Sequence, residues 1–187
     1  GSYTIDATAP SITGQSPSNG STINGTTNIT YTFNEAISSC TGSVTHGSYS
    51  VSGTTLTINP DSTHGAYSVG LTCSDAYGNG VSVTGSYTID VTAPSATGGT
   101  SGALIICSTS FNVTFNETVS SVSIVSEDFT GTMNSSASGS TVTLSQNSDG
   151  STAGWWDGLN VIIRVTDAYG NQGDVSISRT MDLTGCK

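Results

Sequence analysis

The chain has 187 residues, only 9% of them charged, and its 13 acids against three bases (Arg164, Arg179 and Lys187) give a formal charge of −10 and an isoelectric point near 4.1. A surface of that sign repels phosphate backbones, which argues against nucleic acid as a partner. No apolar run approaches the roughly 18 residues of a membrane helix; the longest, Ala103 to Cys107, has the length of a strand.

Ser, Thr, Gly and Asn dominate the composition, yet β-branched and aromatic residues alternate with them too regularly for disorder. In chain order, Ile29, Tyr31 and Phe33 alternate with polar partners. So do Leu56 and Ile58, then Tyr67, Val69, Leu71 and Cys73, then Val81, Val83, Tyr87 and Ile89. The second half copies the series with Phe111, Val113 and Phe115; Val142 and Leu144; Leu159, Val161, Ile163 and Val165; Val175, Ile177 and Met181. Period-two alternation over short runs predicts half-buried strands, and turn signals every 8 to 12 residues suit a two-sheet sandwich.

The halves repeat each other with a period of 82 to 92 residues. "YTFNEAIS" (31–38) matches "VTFNETVS" (113–120), "SDAYGN" (74–79) matches "TDAYGN" (166–171), and "SYTIDVTA" (86–93) matches the weaker "RTMDLTG" (179–185). The spacing from Asp75 to Asp90 equals that from Asp167 to Asp182, 15 residues. A period of this length describes whole domains: residues 1–9 as a leading strand or linker, 10–92 as the first domain and 93–187 as the second. "AYGN" reads as a tight hairpin, with Gly78 and Gly170 free to take positive φ.

These blocks, "DAYGN…YTIDVTAP" together with "FNEA", resemble the bacterial immunoglobulin-like repeats of large surface adhesins. The resemblance implies an all-β fold of two tandem immunoglobulin-like sandwiches arranged head to tail as a rod. It also implies a non-catalytic role on the cell surface, as a rigid segment of an adhesin stalk or a pilus-like filament. Neither His46 nor His64 lies by a nucleophile motif or in a Cys/His zinc cluster, so no catalytic residue and no zinc site is expected.

"GSYTIDATAP" opens the chain and "GSYTIDVTAP" returns at 85–94. If the second copy closes the first domain, then Tyr3, Thr4, Ile5 and Asp6 form a closing strand with no place left in that domain. Three readings stand side by side: a linker left from a longer array, a strand donated to the sheet edge of a neighbouring molecule, or an extra strand within the first domain. The second domain ends "LTGCK" where the first runs on through "VTAP", which reads as a stop.

In such a sandwich the loop after "TFN" and the last hairpin lie where the chain comes in. Asp6, Glu35, Asp75 and Asn79 are expected to converge in the first domain, and Asp90, Glu117, Asp167 and Asn171 in the second. Converging carboxylates repel one another unless a cation neutralises them, and calcium, which takes about 6 to 8 oxygen ligands, suits a mixed carboxylate and amide set. The competing reading has each Asp or Asn capping its own turn.

Four cysteines allow three pairings; one bridge per domain, Cys40–Cys73 and Cys107–Cys186, fits the sandwich placement and an oxidising exterior, against free thiols. "GWWDG" (154–158) appears in the second domain only. Trp155 and Trp156 either form a platform for a sugar ring, giving a glycan- or receptor-binding module, or pack at an interface. Asn24, Asn28, Asn112, Asn116 and Asn134 head five N-glycosylation sequons.

Overall fold

The computed structural model describes residues 1, 3, 5–106, 110–127, 133–146 and 159–182, the backbone alone for 102–106, 146 and 180–182. The described residues contain strands and no helix, and the chain divides into two compact units, Gly1–Val91 and Thr92–Lys187.

The first unit is built from β1 (Ile12–Ser16), β2 (Thr22–Asn24), β3 (Ile29–Phe33), β4 (Ser39–Val44), β5 (Ser48–Ser52), β6 (Thr55–Asn59), β7 (Gly65–Ser74) and β8 (Gly80–Asp90). One sheet has the order β1-β3-β6-β5 and the other β2-β8-β7-β4. Every pairing is antiparallel except β2 with β8, which run side by side in the same direction, Thr22 beside Thr88 and Asn24 beside Asp90.

The alternation seen in the sequence becomes the core. Ile29, Leu56, Ile58, Cys73, Val83 and Ile89 are 0% exposed, while Thr30, Thr32, Thr57 and Thr72 point outward. Each such side chain removed from water contributes roughly 1.5–3 kcal/mol before the entropy of ordering is counted. Edge strand β4, SCTGSV, carries no clean apolar alternation; edge strand β5, SYSVS, alternates over only five residues with Tyr49 and Val51 half-buried; β2 has only three residues. Periodicity therefore passes over them.

The second unit repeats the plan with β9 (Ala96–Gly98), β10 (Ser101–Ile106), β11 (Ser110–Phe115), β12 (Ser121–Glu127), β13 (Met133–Ser138), β14 (Thr141–Gln146), β15 (Leu159–Thr166) and β16 (Gln172–Asp182). Its sheets are β13-β14-β11-β9 and β10-β16-β15-β12, with β10 parallel to β16.

The two cores are filled differently at one place. In the first unit Gly85 pairs with Val69, and two positions on Tyr87 pairs with Tyr67. The missing side chain at Gly85 leaves room for Tyr31, whose hydroxyl shares a 3.2 Å hydrogen bond with that of Tyr87, and Gln15 Nε2 donates to Tyr87 at 2.6 Å. Burial, and next the bond to Tyr87, push the Tyr31 hydroxyl well above the usual tyrosine range. At the matching ladder positions the second unit has Ile177 opposite Val161 and Arg179 opposite Leu159. Ile177 is 1% exposed and fills what Gly85 leaves open. Arg179 donates to the Gly99 carbonyl through Nη2 at 2.7 Å and Nε at 3.0 Å, and its guanidinium carbon lies 4.8 Å from the Phe111 ring centroid.

Candidate functional site

The "DAYGN" stretch folds as a self-capped hairpin in both units. Asp75 Oδ1 accepts from the backbone N–H of Tyr77 at 2.8 Å and of Asn79 at 2.9 Å, and Oδ2 accepts from Asn79 Nδ2 at 2.8 Å. Asp167 receives the same three bonds from Tyr169 and Asn171, at 2.7, 2.9 and 2.8 Å. Gly78 and Gly170 take φ of 90° and 87°, where a side chain would be strained. Both aspartates are buried, 6% and 4% exposed. Burial pushes the Asp75 carboxyl up, but bonds from the Asn79 side chain and the N–H groups of Asn79, Tyr77 and Gly78 outweigh it, leaving its pKa below the ordinary value.

The repeated "FNE" has a role that sequence reasoning missed. Asn34 Oδ1 accepts from Ser11 N at 2.7 Å while Asn34 N donates to the Ser11 carbonyl at 3.1 Å. Asn116 clasps Ser95 in the same way, at 2.8 and 3.1 Å. Each asparagine thus pins the residue after Pro10 or Pro94, both buried, to the start of its unit. The signal was present: "APS" recurs 23 and 21 residues before the "FN" asparagine.

These fixtures set the carboxylates. Asp6, Glu35 and Asp75 each offer an oxygen within 4.8 Å of the others. Asp6 Oδ1 also accepts from Thr8 N at 3.0 Å, and Asn79 Nδ2 reaches the Asp6 carbonyl at 3.3 Å. In the second unit Glu117 and Asp167 come within 4.8 Å of each other. Asp90 ends β8 in the first unit, 3.5 Å from His64 Nδ1. The hairpin occupies most of the roughly four acceptor positions on the Asp75 carboxylate. The turn-capping role is therefore met in full, and the oxygens left over on Glu35 and Asp6 make the set chemically able to hold a hard cation.

Tyr3 and Ile5 are 95% and 89% exposed, and among the described residues no strand begins before Ile12. The extra-strand reading is thereby overturned for the described residues, because Tyr87 and Ile89 already fill that position in the first unit, 3% and 0% exposed. Thr4 lies outside the described residues. Cys40 and Cys73 are bonded across the directly paired positions of β4 and β7, with Cα atoms 4.0 Å apart. Cys107, Cys186, Trp155 and Trp156 lie outside the described residues. Among the sequons, Asn28, Asn112, Asn116 and Asn134 are exposed and Asn24 is half-buried. Asn24 Oδ1 accepts from the N–H and hydroxyl of Thr26, Asn112 Oδ1 from Thr143, and Asn116 Oδ1 from Ser95.

Two four-stranded sheets, antiparallel except for a parallel pair of second and last strands, define an immunoglobulin-like sandwich. Residues 6–93 match the family described as bacterial Ig-like domain. No curated protein matches the chain. Among solved structures it is similar to the Yersinia pseudotuberculosis adhesin InvE (10% identity over 91% of this chain and 58% of that one, TM-score 0.34). It is also similar to the human desmocollin-1 ectodomain (12%, 98% and 39%, TM-score 0.34) and to the titin fragment I67–I69 (12%, 94% and 66%, TM-score 0.44). The chain spans less than two thirds of each of these, and the likeness is one of fold.

Proposed function

We propose that this chain is a non-catalytic, extracellular structural protein, a load-bearing segment of a bacterial surface fibre whose Ig-like units are joined by strand addition. The observation that carries the proposal is a pair of identical segments in opposite environments. Tyr87 and Ile89 are 3% and 0% exposed within β8, whereas Tyr3 and Ile5, in the same SYTID sequence, are 95% and 89% exposed. Leaving two such side chains in water is unfavourable by roughly 1.5–3 kcal/mol each relative to burial, and a sheet edge of another Ig-like unit supplies that burial.

Electron microscopy of native material, combined with sedimentation across a range of concentrations, tests the proposal. Fibres that fall to single-chain mass on denaturation are expected. Monodisperse single chains at every concentration overturn it.

Calcium belongs to the same proposal. Asp6, Glu35 and Asp75 with the Asn79 amide are its ligands in the first unit, with Glu117, Asp167 and Asn171 as the corresponding groups of the second. What supports the ion is the gathering of three carboxylates within 4.8 Å in a chain of net charge −10. Its effect is to hold the incoming segment at Asp6 against the hairpin.

A further inference from the structure

Residues 2–6 repeat residues 86–90 letter for letter, so the surface that complements them is on view in the first unit. There the stretch lies between β7 and β2: Tyr87 pairs with Tyr67 on one side, and Thr88, Ile89 and Asp90 run parallel to Thr22, Ile23 and Asn24 on the other. Alternate side chains, Tyr87 and Ile89, go inward. The period of two fixes which face of a copied segment must be covered.

The first unit fills this slot with its own copy. The second unit fills the equivalent slot with Ser178–Asp182, SRTMD, which keeps the Ser, Thr and Asp of the repeat but has Arg179 and Met181 where SYTID has its Tyr and Ile. Arg179 pairs with Leu159 where Tyr87 pairs with Tyr67. A guanidinium at an inward position is costly to desolvate, and Arg179 turns back to the Gly99 carbonyl. The parallel ladder also differs. β10 against β16 slips register between Gly102 and Ile105, whereas β2 against β8 runs through without a shift.

Resting on the strand-addition reading above, we propose that SYTID at residues 2–6 of one copy enters the second unit of another copy, displacing its residues 178–182 at the end of β16. In this register Ser2 stands opposite Asn160 and Tyr3 opposite Leu159, the places held by Ser178 and Arg179. The sequence path of the joint is then the same within and between copies. Inside one chain SYTID runs through "VTAP" into the second unit; between chains it runs through "ATAP" into the first unit of the donor. Donor and acceptor surfaces differ, so the contact is heterologous and adds copies without limit.

The test uses the full chain carrying Ser2→Cys and Asn160→Cys, oxidised with a glutathione couple and read on a non-reducing gel beside the unaltered chain. Multiples of the chain mass that collapse on reduction are expected. Either single cysteine alone should add no species beyond a dimer. Adding Tyr3→Asp and Ile5→Asp, at positions exposed by 95% and 89% and so harmless to folding, should abolish both the ladder and the fibres, with an unchanged melting curve as control. Fibres without a ladder overturn the acceptor assignment and leave the fibre reading standing. Fibres that persist in the Tyr3→Asp, Ile5→Asp chain overturn strand donation itself. Absence of fibres from the unaltered protein brings down both readings.

Discussion

A protein proposed to bear load should lengthen in a way set by its covalent staple. Cys40 and Cys73 are bonded with a sequence separation of 33 and Cα atoms 4.0 Å apart, so when the first unit is pulled open the residues between them remain out of the line of force. An extended chain spans about 3.5 Å per residue. The 33 residues therefore withhold about 110 Å of length, after the 4.0 Å already bridged is subtracted. Single-molecule stretching of the full chain between long handles reads this directly. With the bond intact the first unit should release about 110 Å less contour than in the Cys40→Ala, Cys73→Ala chain. The same double substitution should lower unfolding stability by about 4 kcal/mol, from loop-closure entropy for 33 residues. Equal length increments with and without the cysteines would refute the reasoning, since a closed loop cannot transmit tension through its interior.

Gly85→Ala places a methyl against the Tyr31 hydroxyl and 3.0 Å from the Tyr87 ring; a loss of about 1–3 kcal/mol is expected in urea unfolding, partly regained by adding Tyr31→Phe. Asn34→Ala removes one of the two bonds to Ser11, and hydrogen exchange at the Ser11 amide should accelerate while that at Val83 is unchanged. Because hydrogen bonds lower the Asp75 pKa, the stability it contributes is present above the unfolded value of about 3.9 and is lost as pH falls through the lower folded value. Melting temperatures of the unaltered and Asp75→Ala chains should accordingly converge in acid and separate above about pH 4. Calcium at a hundred times its dissociation constant should stabilise by about 2.7 kcal/mol per site; a melting temperature indifferent to calcium and chelator would remove the ion from the proposal.

The inner strands were legible in the sequence because Ile29, Tyr31 and Phe33, or Leu159, Val161 and Ile163, obey one rule: every second side chain must leave water. Edge strand β4 obeys it weakly, as its Ser, Thr and Gly need no core partner, and edge strand β5 obeys it with only two half-buried side chains, Tyr49 and Val51. The parallel β2–β8 pairing was invisible for another reason. It joins residues 66 positions apart through three backbone rungs, which leave no side-chain pattern. At the site, the carboxylates could be grouped from the repeat, since the same loops recur in order. The reciprocal Asn34–Ser11 clasp left its trace in the recurring "APS" and "FN", but an asparagine in a loop reads equally well as a turn residue, so the repeat alone did not single it out. The exchanges of Tyr31 for Val113 and Tyr87 for Arg179 stand in the matched blocks, but that Gly85 gives way to Ile177 and that these positions share one core place shows up only once the ladder aligns them.

The parallel course of β2 and β8 fixes where the first unit receives the polypeptide and where it hands it on. Two neighbouring strands with the same heading must start near one pole and finish near the other, so the chain makes net progress with each such domain. A gene that duplicates this stretch gains a further stride of backbone with no new route to invent.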